Sequence, residues 1–517
     1  MKIFLASLFL VAYIVSAVRY DAIVIGVGAS GSLACGKISE LNKRVLCLEN
    51  GHDVTDSLAY EHPSINSPFS GSHSVFAGVF LGQTENGKKF KRADTLGGGP
   101  QISGSGAIRP SPIQYEVEYI QRAGLDPTIW SYYPRIAAAL KYIENYTTPF
   151  DNDPISPLRG TEGIINIIKL DQNFSTFAVD IQERFMAAFD QEEFNQDIGV
   201  NITGFGMFQR NLHYVPDGVS TRSTPWVDML KPVVASRPNL TLLTGAKVSK
   251  IDVRNGKARA VRAVVNGKSR RFRLKANGKV ILAAGPLNTP KILMLSGIGD
   301  CNRLADFGIE CKSNLTHVGT HLKSHDVIYL YFYQTSGQDT PIMEGHFTTP
   351  WAKDGLHDAQ IAVTTIAGAP ILLVTLVNLR PDIIGKVDLR SHNPMDESKF
   401  TYSTKVAPGS DDYNRYLWMY DKSVEAMSDS FLLAIDEVAI PGPSNFEHVA
   451  QIYHHYSNAA PLGAVLNSYG EVHGVPNILV TDSSNIPGHA ASHPAQEIYA
   501  NTLNILDLHY PELHILD

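Results

Sequence analysis

A glycine-rich turn at Gly26-Val27-Gly28-Ala29-Ser30-Gly31 constrains the fold of this chain more than any other feature. It follows the apolar run from Tyr20 to Gly26, which has the character of a buried parallel strand. Residues 29–41 then carry a helical pattern, with Leu33, Ala34, Gly36, Ile38 and Leu41 available to face a sheet. Arg44 to Leu48 reads as a second buried strand, and Glu49 sits at its carboxyl end with Asn50 beside it. The whole is a β-α-β unit. Gly26 permits the tight turn, Gly28 lets the backbone approach a pyrophosphate, and Gly31 allows close packing of helix on strand. Ala29 and Ser30 open the helix, whose free N–H groups and positive dipole end suit phosphate. Glu49 is placed to accept hydrogen bonds from an adenosine ribose. This unit alone does not separate a nicotinamide from a flavin dinucleotide.

The 517 residues exceed one small domain and suggest two to four units, or one enzyme body with an insertion. The formal net charge of −7 and the absence of any run of five Lys/Arg argue against a nucleic-acid partner. No internal repeat or low-complexity linker appears. Residues 53–90 read as loop and 134–146 as helix. Strand-like runs return at 239–253, 258–266, 279–284, 386–390 and 477–481, with helices near 411–429 and 494–507.

Met1-Lys2, the apolar stretch Ile3 to Val15 and then Ser16-Ala17 have the order of a secretory signal peptide, expected over 1–17. The apolar stretch is too short to span a bilayer, so no membrane span is expected. Sequons at Asn145, Asn173, Asn201, Asn239 and Asn314 agree with a secreted glycoprotein. Cys35 and Cys47 read as small buried thiols, whereas Cys301 and Cys311 flank a short loop and could bond in an oxidising compartment. No Cys/His ligand spacing occurs, so no metal site is expected.

Residues 285–299, Gly-Pro-Leu-Asn-Thr-Pro-Lys-Ile-Leu-Met-Leu-Ser-Gly-Ile-Gly, follow the strand Val280 to Ala284. This block resembles the second signature of the glucose-methanol-choline (GMC) oxidoreductases at Gly285, Pro286, Thr289, Pro290, Ser296, Gly297 and Gly299. Leu96-Gly97-Gly98 looks like that family's flavin-pyrophosphate loop, and Val318-Gly319 with Leu322 and His325 like its VGxxLxxH segment. Asn477 to Pro487 looks like its last flavin-contacting strand. The resemblance implies noncovalent FAD held by the residues of the glycine turn, Glu49 and Asn50. Further contacts are implied at Leu96, Gly97, Gly98, Ser103, Val248, Ala284, Gly285, Asp482, Ser483, His493 and Pro494. Ser103 stands where the family usually has Asn, and the loop 96–104 holds no His for a covalent flavin bond.

The implied fold class is α/β: a Rossmann-type FAD-binding domain with an inserted α+β substrate domain of antiparallel sheet and helices. The recurrence of nucleotide-domain blocks assigns 18–150, 231–329 and 456–517 to the first, and 151–230 and 330–455 to the second. The aromatic residues of the insertion, among them Phe205, Phe208, Phe332 and Trp351, are expected mostly in the core.

Tyr453-His454-His455-Tyr456 and His489-Ala490-Ala491-Ser492-His493-Pro494 supply histidines near the closing strand. Histidine titrates near neutrality and suits removal of an alcohol proton as hydride leaves the same carbon. By the resemblance His455 is the base and His493 its partner. His454 is expected to point elsewhere, and His489 to line the entrance or lie in a solvated loop. The C-terminal region is similar to almond-type hydroxynitrile lyases and to aryl-alcohol oxidases. Two chemistries therefore stay open: oxidation of a small apolar or aromatic alcohol with O2 or another electron acceptor, and cleavage of a cyanohydrin over a redox-silent flavin. A flavin-retaining secreted glycoprotein without catalysis is the third reading.

Overall fold

The structure, a computed structural model, describes residues 18–55, 61–62, 79–85, 87–148, 156–169, 175–213, 215, 220–333, 342–366, 369–404, 406–427 and 442–516. The expected leader at 1–17 and the sequon at Asn173 lie outside the described residues.

The opening unit forms β1 (Arg19–Ile25), α1 (Ala29–Glu40) and β2 (Val45–Leu48). Further along come α2 (Thr176–Ala188) and β3 (Gly204–Met207). They are followed by β4 (Leu240–Leu243), β5 (Ala246–Arg254), β6 (Lys257–Val265), β7 (Lys268–Leu282) and α3 (Thr289–Leu295). Next are β8 (Asp326–Tyr333), β9 (Met343–Phe347), β10 (Ala359–Thr365), β11 (Ile371–Asn378) and α4 (Asp411–Met427). The chain closes with β12 (Gln451–Ile452), β13 (Glu471–Val472), β14 (Val475–Val480) and α5 (Pro494–His509).

β1 lies at the centre of the first sheet, whose order is β4-β2-β1-β7-β6-β5, with β14 also on β7 and β13 on β14. Ile23 pairs in parallel with Leu46 on one side and Val280 on the other. Strands buried on both faces read as continuous apolar runs, and Ala22, Ile23 and Val24 are fully buried. Helix α1 is buried over nearly its whole length because it lies between this sheet and α5. The second sheet, β12-β8-β11-β10-β9-β3, is antiparallel throughout. α2 and α4 pack on it, and Phe185, Phe205, Ile328, Ile361, Val374 and Met419 form a core separate from that of the first sheet.

Three local expectations are corrected. Within 53–90, Val79–Gln83 and Lys89–Ala93 pair as a hairpin, and Phe90 packs edge-on against Phe400 at 5.0 Å. The Gly, Ser, His and Asn residues scattered through 53–90 left no periodic pattern by which to find that hairpin. The segment 134–146 is helical only to Ile143, after which Glu144–Thr147 becomes a strand alongside Ile165–Lys169. Cys35 and Cys47 are bonded to each other rather than free, joining α1 to β2 with Cα atoms 6.3 Å apart. Cys301 and Cys311 also form a disulfide.

Candidate active site

The turn after β1 takes the shape its glycines predict. Gly26 has φ +88°, and a Cβ there would strike the Ala283 carbonyl of the neighbouring strand. A Cβ on Gly31 would strike the Gly26 carbonyl, so helix and strand meet only because both lack side chains. Gly28 is the N-cap residue of α1 and offers no side-chain cap, leaving the first-turn N–H groups for an anion. Gly98 faces it from the loop after the hairpin: its φ is +61°, and a Cβ there would lie 2.7 Å from the Gly28 Cα. The two glycine backbones thus form the walls of one cradle.

Glu49 is fixed at the end of β2 by backbone donors. Its Oε2 accepts from the Val27 N–H at 2.7 Å and its Oε1 from the Gly51 N–H at 2.7 Å. Burial pushes its carboxyl up, and these donors oppose that shift. Asp482, at the end of β14, accepts from the Gly285 N–H at 2.9 Å, the Thr289 hydroxyl at 2.6 Å and the Ser484 N–H at 2.8 Å. It therefore locks the 285–289 turn to the closing strand.

A cavity of about 1550 Å3 runs from this cradle into the space between the two sheets. That exceeds the 300–1,000 Å3 usual for one small ligand and suits a dinucleotide with a substrate beside it. Gly26, Gly28, Ala29, Ser30, Glu49, Asn50, Gly98 and Ser103 line it, as do Val248, Ala284, Gly285, Asp482, Ser483, His493, Pro494 and His455. Gly31, Leu96 and Gly97 stand behind the wall. Leu96 is core, and Gly97 turns at φ +84° against Gln101. The unusual loop 99–104 is clamped by Arg222, whose Nη1 donates to the Pro100 carbonyl (3.2 Å), the Ser103 carbonyl and the Ser105 hydroxyl (2.8 Å).

At the far end of the cavity the imidazoles of His455 and His493 meet edge to face, centroids 5.7 Å apart. His493 is the N-cap residue of α5, and Gly106 leaves room for its ring: a Cβ there would sit 2.7 Å from it. His455 is half-buried with one side on the cavity. Burial, and then the rings of His325, His493 and His454, hold it well below the usual histidine value, while the Ser492 carbonyl pulls the other way. It is neutral at physiological pH and able to accept a proton. His454 lines the cavity but turns aside at φ +66° to bond the Tyr456 hydroxyl at 3.0 Å. His489 is neither solvated nor at an entrance: it is buried and bonded to the Pro381 carbonyl at 3.0 Å.

Glu344, which belongs to no motif, completes the wall, and His325 of the VGxxLxxH segment stands buried behind it. Glu344 on β9 approaches His493 Nε2 with both oxygens, at 3.0 and 2.9 Å, and His346 Nε2 at 2.8 Å. Burial alone would raise this carboxyl, but the two imidazoles outweigh it and hold it at about 2. His325, which closes the VGxxLxxH segment, bonds His455 from behind, Nδ1 to Nδ1 at 3.1 Å. Phe208, Tyr329, Ile342, Ala362 and Tyr453 supply the apolar surface around these polar groups. Among the described residues no cluster of three or more His, Cys, Asp or Glu could hold a metal ion, and no helix is long and apolar enough to cross a membrane.

The sequence model of the GMC oxidoreductases matches residues 20–327 with its N-terminal part and 382–502 with its C-terminal part. An alcohol dehydrogenase [acceptor] of Pseudomonas putida is 26% identical over 538 aligned positions, covering 92% of each chain. The oxygen-dependent choline dehydrogenase of Staphylococcus xylosus is 29% identical over 321 positions, 60% of this chain and 53% of that one. The chain thus spans about half the length of the choline dehydrogenases it matches. Pyridoxine 4-oxidase from Mesorbium loti superposes with a TM-score of 0.79 at 18% identity, covering 95% of this chain and 99% of that one. A fungal aryl-alcohol oxidase gives 0.78 at 16%, covering 96% and 99%. At these identities the structural likeness is one of fold.

Proposed function

The chain belongs to the GMC oxidoreductase family, and from that premise we propose that it oxidises the CH–OH group of a small apolar or aromatic alcohol, with FAD bound noncovalently. The observation that carries this reading is the pair His455 and His493, facing each other at 5.7 Å on the wall of the cavity that also contains the dinucleotide cradle.

FAD, when bound, supplies the acceptor for the hydride. The cradle fits it: the first-turn amides of α1 and the glycine walls suit its pyrophosphate, and Glu49 a ribose. The protein's own part is to hold the alcohol and manage its proton. The neutral His455 removes the hydroxyl proton, and His493, oriented by Glu344, hydrogen-bonds the same oxygen. The apolar surface from Phe208, Tyr329, Ile342 and Tyr453 excludes water and favours an uncharged, carbon-rich substrate. O2 or another electron acceptor then completes the turnover.

Cleavage of a cyanohydrin would use the same base but would need positive potential for departing cyanide. The Glu344 carboxylate offsets the charge that a protonated His493 would offer, which weighs against that chemistry. Mixing the purified protein anaerobically with benzyl alcohol, and separately with mandelonitrile, tests the choice. Bleaching of the oxidised flavin band by the alcohol supports oxidation; benzaldehyde and cyanide from mandelonitrile with an unchanged flavin would overturn it. His455→Ala is expected to abolish turnover with FAD retained. Acid precipitation is expected to release the flavin into the supernatant, as a noncovalent cofactor requires.

Secretion and glycosylation belong to the same proposal. Asn201 and Asn314 are exposed and could carry glycans. The Asn239 amide donates to the carbonyls of Ser39 (3.0 Å), Leu41 (2.8 Å) and Lys43 (2.8 Å), and the Asn145 amide to Asn166 (2.7 Å), so these two are engaged within the fold. Glycopeptide masses from a eukaryotic secretory host read the difference.

A further inference from the structure

The backbone brings two histidines of distant sequence side by side. The Tyr453 N–H donates to the His325 carbonyl at 2.9 Å, and Lys323 and Ser457 exchange backbone hydrogen bonds at 3.1 and 3.0 Å. This antiparallel contact presents the His325 ring to the His455 ring, nitrogen to nitrogen at 3.1 Å. The other nitrogen of His325, Nε2, lies 3.1 Å from the Ala490 carbonyl. A carbonyl oxygen only accepts, so Nε2 must carry the proton of the neutral ring. His325 is fully buried, and that burial, opposed by the Ala490 carbonyl, drives it down to about 3, so it stays neutral through the physiological range. Its Nδ1 is then a bare lone pair, and the hydrogen bond to His455 forms only if His455 Nδ1 is the donor. The reverse arrangement would set a lone pair of Nε2 against the Ala490 oxygen.

We propose that His325 is a positioning residue that fixes His455 as the Nδ1–H tautomer, leaving Nε2 of His455 as the basic nitrogen for the alcohol proton. The proposal rests on the reading of His455 as the base and goes beyond it by assigning the nitrogen. The logic is that of any general base held by a third group: geometry and tautomer are set from behind, so the reactive lone pair is ready before substrate arrives. When Nε2 takes up the proton, each N–H of the dyad has a purpose. His325 Nε2 donates to Ala490, His455 Nδ1 donates to His325, and the new charge is favoured by the Ser492 carbonyl. The proton balance is simple: one proton leaves the hydroxyl and one N–H bond forms, with the dyad passing from two protons to three.

The charged and titratable groups around the pair are few. His493, His454 and the Tyr453 ring (4.6 Å) face His455; His493, Arg380, His346 and the His489 ring (6.5 Å) face His325. Both rings therefore sit among cationic or potentially cationic neighbours.

Nitrogen-15 NMR of the histidine-labelled holoenzyme reads the tautomers directly, with signals assigned through His325→Asn and His455→Gln. His455 is expected to show a protonated Nδ1 and a bare Nε2, and His325 the opposite. The opposite pattern at His455 would overturn the proposal even if His455 proves to be the base. Kinetics give an independent arm. His325→Leu removes the acceptor and is expected to lower kcat about 10- to 100-fold with FAD and KM unchanged, as loss of an orienting partner does. Its acid limb should also move to lower pH, because the Nδ1–H of protonated His455 loses the neutral acceptor that favours it. His325→Asn, whose Oδ1 can accept in place of Nδ1, should restore most of kcat. Equal damage in the Asn and Leu variants, both holding FAD and unfolding at the wild-type temperature, counts against it. So does a Leu variant with wild-type kcat and pH profile. If instead His455→Ala retains turnover, the reading of the base fails while the tautomer measurement still stands.

Discussion

Glu344 grips His493 with both carboxylate oxygens, 3.0 and 2.9 Å from Nε2, and reaches His346 with the same group. The carboxylate is almost wholly buried, and among the described residues these imidazoles support its charge. Glu344→Gln keeps the shape but removes the charge that orients His493. Activity should fall about 10- to 100-fold, as for other lost orienting partners, with the flavin spectrum unchanged. Steady-state kinetics beside absorbance spectra check this.

The same pair sets a pH dependence of stability. A carboxyl depressed to about 2 in the folded state contributes stability above its unfolded value of roughly 4.3, and that contribution is lost as pH falls toward 2. The difference in unfolding free energy between wild type and Glu344→Gln should therefore shrink as pH falls below about 4. A difference that instead grew on acidification would exclude an ionised Glu344 in the native state. Urea unfolding across pH 3–7 makes the measurement.

Gly28 and Gly98 enclose the phosphate cradle between two bare backbones. A Cβ on Gly28 meets nothing closer than the Gly98 Cα at 3.6 Å, so Gly28→Ala should fold and yet intrude on the pyrophosphate. Gly98→Ala is worse placed, at φ +61° and 2.7 Å from Gly28, and adds backbone strain of about 1–3 kcal/mol. The expected outcomes are a folded, flavin-poor protein for the first and an unstable one for the second. Flavin content per protein and thermal unfolding distinguish them.

The parts legible in the sequence were those governed by local rules. β1, α1 and β2 fell within a residue or so of their expected bounds, because glycine placement and apolar runs determine them without help from the rest of the chain. His455 and His493 were found through motif likeness, and the structure brings both to one cavity wall. Glu344 was missed because its meaning is tertiary: an acidic residue on a short strand reads as solvated until the partner helix α5 arrives from 149 residues away. A signal was present, since Glu344 and His346 are two apart and so project from the same face of an otherwise apolar strand. The hairpin at 79–93 had no such signal, and Arg222 reads as an ordinary surface arginine until the loop 99–104 folds over it.

Asn239 and Asn201 carry the same sequon but differ in what their side chains hold. Asn239 satisfies the Ser39, Leu41 and Lys43 carbonyls around the end of α1, which have no later turn of helix to bond. Asn239→Ala should cost about 1–3 kcal/mol, the penalty for leaving such acceptors unpaired. Asn201→Gln, at an exposed position, should change stability by less than about 0.5 kcal/mol. Chemical denaturation of unglycosylated protein isolates the effect from any contribution of the sugar.

The two disulfides differ in access. Cys35 and Cys47 are fully buried between α1 and β2, whereas Cys301 and Cys311 are partly exposed. Thiol–disulfide exchange requires a thiolate to reach a sulfur, so a mild reductant should open the outer bond and leave the inner one until the domain unfolds. Alkylation of the native protein after brief reduction should label Cys301 and Cys311 alone, read by peptide mass, and denaturant should be needed to label the other two. The inner bond closes a short loop inside the nucleotide unit and should contribute about 3 kcal/mol by restricting the unfolded chain. Replacing both Cys35 and Cys47 by Ser should accordingly lower the unfolding temperature and loosen FAD, since the glycine turn and Glu49 are attached to the two elements that bond joins. Labelling of Cys35 or Cys47 in the folded oxidised protein without reductant would show that they are free thiols after all.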